Sequence, residues 1–234
     1  MRRPEAILFD LWGTLFSSVA FDPVKGNAAV LALAENPRGA SLEQVQDLGR
    51  RVVSATIERE EQSALEFTQA SLFRILADAF DLRFRQSMEE LEWEFWNAAL
   101  EISLIDGVRR MLPDVRARGI RSCVISNSSF TAVTIERELR RQGILDAFEF
   151  VISSADYGIR KPDALIFEAA LLRMGISADK AWFAGDNVGY DIVGARGAGL
   201  FPIAFQARSA VPDSIEHAAI ASWSELAGLV EAAD

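Results

Sequence analysis

Short apolar runs recur in two parts of this chain: Ala6 to Phe9 near the start, then Cys123 to Ile125, Phe148 to Ile152 (interrupted only by Glu149), Ala181 to Ala184 and Pro202 to Phe205. A run without polar interruption predicts a strand buried on both faces, as in a parallel sheet. Helical patterns separate these runs, and that alternation predicts βαβ units. The expected fold is α/β: a Rossmann-like parallel sheet sandwiched by helices.

Residues from about 20 to 100 follow a different rule, with no strand pattern. The stretch Ser41-Leu42-Glu43-Gln44 reads as a capping box, and Leu42, Val45, Leu48, Val52 and Thr56 recur at helical spacing behind it. Ala70 to Phe80 and Met88 to Leu100 predict two further helices. The division that results is a core of residues 1–17 and 105–234, interrupted at 18–104 by an all-helical insert. Ser17 to Asp22 and Ile102 to Asp106 are read as its linkers. An insert entering just after the first strand lies over the strand ends. Its aromatics, Phe67, Phe73, Phe80, Phe84, Trp93, Phe95 and Trp96, read as helix packing. Its arginines, among them Arg50, Arg51, Arg59 and Arg74, read as solvated faces.

Composition narrows the class. The chain has 234 residues, is half hydrophobic and carries a net charge of -10, with a mean hydropathy of +0.12. The acidic balance argues against nucleic acid as a partner. No apolar stretch approaches the roughly 18 residues that a membrane span needs. A single cysteine, Cys123, precludes an internal disulfide and reads as a core residue. With no signal-peptide core near Arg2-Arg3, the expected compartment is the cytoplasm.

The chemistry gathers where predicted strands end, which is where open α/β sheets bind ligands. Asp10 ends the first strand and is followed by Leu11-Trp12-Gly13-Thr14. Ser126-Asn127-Ser128 ends the Cys123 strand and offers a hydroxyl and an amide ahead of a helix. Lys161 stands in Gly158-Ile159-Arg160-Lys161-Pro162-Asp163. Gly185-Asp186-Asn187 ends the Ala181 strand, and Asp191 follows five residues after Asp186. His217, the only histidine, is remote from all four motifs and reads as structural. Pro113 falls inside the Gly107 to Arg118 helical pattern, where it is expected to produce a kink.

These four motifs, in this order, resemble those of the haloacid dehalogenase superfamily across the whole α/β part, and the insert resembles that family's helical cap. The resemblance implies a hydrolase with Asp10 as nucleophile, assisted catalytically by Lys161 and Ser126. It implies Mg²⁺ held by Asp10, Asp186 and the backbone carbonyl of Trp12, with Asp191 and Asn187 behind these ligands. Thr14, Asn127 and Trp12 are the implied contacts to a small anionic substrate, most naturally a phosphorylated metabolite.

Trp12 departs from the pattern. Phosphatases of this family carry an Asp there that protonates the leaving alkoxide, and such acid/base help is worth about 10² to 10⁴-fold. The 2-haloacid dehalogenase branch has a bulky non-acid at this position, because halide leaves without a proton. Against that branch stands Asp186, since two carboxylates sharing a site repel unless a cation joins them. Phosphonoacetaldehyde hydrolysis would need a cap lysine, for which Lys25 is at most marginal. A non-catalytic binding or regulatory role is the alternative outside enzymology.

Overall fold

In the computed structural model, residues 1–233 are described, with the side chains of 58–62 outside that description; the Arg59 side chain named above is among those. The elements follow in chain order as β1 (Ala6–Phe9), β2 (Phe16–Phe21), α1 (Pro23–Ala32), α2 (Leu42–Ser63), α3 (Gln69–Phe80), α4 (Met88–Ala99), β3 (Leu100–Leu104), α5 (Val108–Ala117), β4 (Arg121–Ser126) and α6 (Ala132–Arg141). The second half continues with β5 (Val151–Ser153), α7 (Ser154–Tyr157), α8 (Ala164–Met174), β6 (Ala181–Gly185), α9 (Gly194–Gly197), β7 (Phe201–Phe205), β8 (Ala218–Ile220) and α10 (Leu226–Glu231).

Six strands form one sheet in the order β5-β4-β1-β6-β7-β8, and every pairing is parallel. Alternate residues of each central strand point into different cores. Ile7, Phe9, Val124 and Trp182 join the apolar cluster that includes Met111, Leu139 and Trp223. Leu8, Cys123, Ile125 and Phe183 join the one built with Phe167 and Leu171 from α8. Burial on both faces explains why these strands are apolar without alternation. Cys123 lies in this second core, where burial pushes its thiol pKa up.

Two expectations change in detail. The predicted Phe148 to Ile152 strand begins only at Val151; a 3₁₀ turn at 145–147 precedes it and the backbone bends at Glu149. The segments read as linkers are strands: β2 and β3 pair antiparallel, from Phe16 opposite Leu104 to Phe21 opposite Leu100. Pro113 lies inside α5, which continues past it to Ala117.

The helices between β2 and β3 rest on the loops that follow the strands. Capping boxes start α2 at Ser41 and α4 at Ser87. The turn between α2 and α3 meets the loop before Lys161: Arg160 N–H donates to Ala64 O at 3.0 Å and Glu66 N–H to Gly158 O at 3.2 Å. Gln69 N–H donates to Ser129 O at 2.8 Å. On the other side, α4 binds α6, with Trp96 Nε1 donating to Glu138 at 3.1 Å. No helix among the described residues is long and apolar enough to cross a membrane. His217 Nδ1 lies 2.8 Å from the carbonyl of Ile215, away from the strand ends.

Candidate functional site

Asp10 extends β1 by one ladder bond, its N–H donating to Ala184 O at 2.9 Å. The chain then turns sharply, with Leu15 and Phe16 N–H groups both donating to Leu11 O. Gly13 adopts φ +79°, and a Cβ there would fall 2.2 Å from Oδ2 of Asp186. Only glycine lets this loop lie so close to the neighbouring strand end. Thr14, fully buried, donates from Oγ1 to Asp10 Oδ2 at 3.1 Å.

Lys161 supplies the opposing charge. Its Nζ donates to Asp10 Oδ1 at 2.6 Å and to Asp191 Oδ1 at 2.7 Å, and the side chain is 1% exposed. The ammonium also sits 5.1 Å from the centre of the Phe183 ring. Burial opposes its positive charge, but the carboxylates of Asp10 and Asp191 outweigh burial and hold its pKa above the ordinary lysine value. Asn127 fixes the Lys161 backbone, accepting from its N–H at 2.8 Å and donating to its carbonyl at 2.9 Å.

Asp186 and Asp191 complete the centre. Asp191 is 1% exposed, and its Oδ2 accepts from Asn187 N–H at 3.0 Å. Burial pushes its pKa up to about 7, against the pull of Lys161. A Cβ on Gly185 would lie 2.4 Å from Asp191 Cγ, so the glycine before Asp186 makes room for this carboxylate. Burial, and next the charge of Asp10, raise the pKa of Asp186, while Arg208 lowers it. Arg208 donates from Nε to Asp186 Oδ2 at 2.6 Å.

One carboxylate oxygen each from Asp10, Asp186 and Asp191 lies within 4.8 Å of the others. Three carboxylates meet two cations, Lys161 and Arg208, so the cluster is one positive charge short of holding all three ionised. Clustered hard oxygens with a charge deficit suit a hard divalent cation. The residues fit such an ion.

A cleft of about 180 Å³ opens on this centre, lined by Asp10, Trp12, Asn127, Lys161, Asp186, Asn187 and Asp191 together with Arg160, Tyr190 and Arg208. Thr14 stands behind Asp10 instead of lining the cleft. Ser126 ends β4 fully buried, and its Oγ has no hydrogen-bond partner among the described residues. Asn187 accepts at Oδ1 from Tyr190 N–H at 2.9 Å. The Trp12 ring packs 5.5 Å from Trp96 of α4 and 6.1 Å from Phe16, centre to centre. Sequence reasoning missed Arg208 and Tyr190. The signal for Arg208 was the one used elsewhere, since Gln206-Ala207-Arg208 follows the carboxyl end of β7.

A family model for haloacid dehalogenase-like hydrolases matches residues 4–199. The chain is 26% identical over 221 residues to a ribulose-1,5-bisphosphate 5-phosphatase of Halopiger xanaduensis, covering 86% of this chain and 84% of that protein. It superposes on a 2-haloacid dehalogenase from Pseudomonas syringae pv. tomato with a TM-score of 0.66 at 24% identity, over 99% of each chain. A HAD phosphatase from Thermococcus onnurineus gives 0.65 at 20% identity, over 100% of this chain and 99% of that one.

Proposed function

The chain belongs to the haloacid dehalogenase-like hydrolases, and from that premise we propose that it hydrolyses a small phosphorylated compound with Asp10 as nucleophile and Mg²⁺ as its metal. The observation that carries this reading is the convergence of three buried carboxylates around one buried lysine. Asp10, Asp186 and the Trp12 carbonyl would hold the ion, with Asp191 and Asn187 supporting them. Bound there, Mg²⁺ supplies charge neutralisation between an anionic nucleophile and an anionic phosphoryl group.

The protein's own groups carry the rest. A carboxylate oxygen of Asp10, oriented by Thr14, attacks phosphorus as the bond to the leaving oxygen breaks, giving an aspartyl-phosphate that water then hydrolyses. Lys161 already touches Asp10, so its charge can follow the negative charge onto the transferring oxygens. Ser126 lies fully buried behind the cleft lining with its hydroxyl unspent, and that hydroxyl would turn toward a phosphoryl oxygen. Residues 18–104 would act as the cap, resting on the loops beside the cleft through the bonds of Ala64, Glu66 and Gln69.

Trp12 has no proton to give. The preferred substrates are therefore phosphates whose leaving group is stable as an anion, such as acyl phosphates, with simple alkyl esters turned over slowly. A second reading, 2-haloacid hydrolysis, is favoured by the same aromatic residue beside Asp10. A panel of phosphomonoesters, acyl phosphates and 2-haloacids, with and without Mg²⁺, separates the two. Metal-dependent phosphate release supports the first reading, whereas halide release without metal overturns it.

A further inference from the structure

Arg208 stands out as the cation of this centre that is not built in. Lys161 is buried among Asp10, Asp191 and Phe183, whereas the Arg208 side chain is 69% exposed and comes from the loop after β7. Its reach is nevertheless specific. Arg208 N–H donates to the Asp186 carbonyl at 3.3 Å, which brings the loop back to the end of β6, and its Nε then meets Oδ2 of the same residue at 2.6 Å. The guanidinium ends against the Asp10 loop: a Cβ on Gly13 would lie 2.7 Å from Arg208 Nη2 and 2.2 Å from that same Asp186 oxygen. Arg208 thus occupies the gap between Asp186 and the loop carrying Trp12.

Charge says what this position is for. With all three carboxylates ionised, as metal ligation requires, Lys161 and Arg208 leave the centre one charge short of neutral, whereas Lys161 and a divalent ion neutralise it. With all three cations the centre becomes positive, and like charges at such range repel by several kcal/mol at an effective dielectric of about 20. We propose that Arg208 is a tethered cation that holds Asp186 in the metal-free protein and is displaced when a divalent ion binds. This rests on the metal-dependent reading above. Its exposed, flexible side chain makes the exchange cheap, and the loop's backbone bond keeps the guanidinium nearby.

Titration calorimetry with MgCl₂ tests this on the wild type, Arg208→Met and Arg208→Lys. The Met variant keeps an apolar stem but no charge, and it should bind Mg²⁺ about tenfold more tightly, a small part of the like-charge repulsion that the guanidinium would otherwise impose on the ion. The Lys variant should stay close to the wild type. Melting in EDTA should be lower for Arg208→Met than for the wild type, and the gap should close at saturating Mg²⁺, since ligand binding to the folded state adds stability. Equal or weaker Mg²⁺ binding by Arg208→Met, with the wild type binding, overturns the exchange alone. If neither protein binds Mg²⁺, the metal-dependent reading falls and the exchange falls with it.

Discussion

Asn127 and Lys161 are joined twice through one carboxamide, which accepts from the Lys161 N–H at 2.8 Å and donates to the Lys161 carbonyl at 2.9 Å. The pairing ties the loop after β4 to the loop bearing the buried ammonium. Asn127→Ala removes both bonds and leaves two backbone groups to find new partners, a loss of about 1 to 3 kcal/mol. Turnover should fall about 10 to 100-fold through a displaced Lys161, by analogy with groups that orient metal ligands. Asn127→Asp keeps the acceptor only and should fall between. Chemical denaturation alongside kcat and KM reads both effects; a loss confined to KM would mean that Asn127 acts on substrate instead.

Asp10→Asn should abolish turnover, by at least about 10³-fold if the carboxylate is the nucleophile. The fold should survive, because the amide oxygen can still accept from Lys161 Nζ while the NH₂ faces Thr14 Oγ1, a hydroxyl that can turn to accept. Circular dichroism and a phosphate-release assay on the same sample decide this. Residual activity near that of the wild type would remove Asp10 from the nucleophile's role.

The strands were legible because they are buried on both sides: a run such as Ala6 to Phe9 has no solvent face to interrupt it. The β2–β3 ribbon was not. Five of the six β2 residues are exposed, and its partner lies beyond α4, so no local pattern marks the pairing. Helix α1 is marked locally by its own cap, with Asp22 accepting from Val24 and Lys25 N–H groups and Pro23 in the first turn. Likewise, Asp10, Lys161, Asp186 and Asp191 were readable because each follows a strand or a marked turn. Arg208 also follows a strand end, but nothing in the sequence pairs its loop with Asp186, and that contact comes from the fold.

Trp12→Asp should raise turnover of simple phosphomonoesters per folded molecule, because a carboxyl group returns to the place where a leaving alkoxide needs a proton. The substitution also strips an aromatic ring from Trp96 and Phe16, at a cost of about 3 kcal/mol or more in stability. Activity normalised to folded protein, alongside the melting temperature, separates these opposite effects. Lower normalised activity on every ester would show that the aromatic wall itself serves the reaction.

Glu92 gives the joint between α4 and α6 a pH dependence. Helix α6 starts at Thr131, whose side chain makes no cap bond of its own, and Glu92 from α4 supplies the acceptor instead. Its Oε2 accepts from Thr131 N–H at 3.0 Å, Thr131 Oγ1 at 2.6 Å and Thr134 Oγ1 at 2.9 Å. A carboxylate is favoured at a helix N-terminus, yet burial is the larger influence, and with Asp156 nearby it raises the Glu92 pKa above the ordinary 4.5. The folded protein therefore holds this proton more tightly than the unfolded chain. The stabilisation that follows is fully present below pH 4.5 and is lost as pH rises through the folded value. Glu92→Gln keeps an acceptor for Thr131 and Thr134 but cannot titrate. The stability of the wild type relative to Glu92→Gln should thus decline as pH rises from about 4 to about 8, measured as denaturation midpoints at each pH. A difference that stays flat across that range would mean that Glu92 titrates in the folded protein as it does in the unfolded chain.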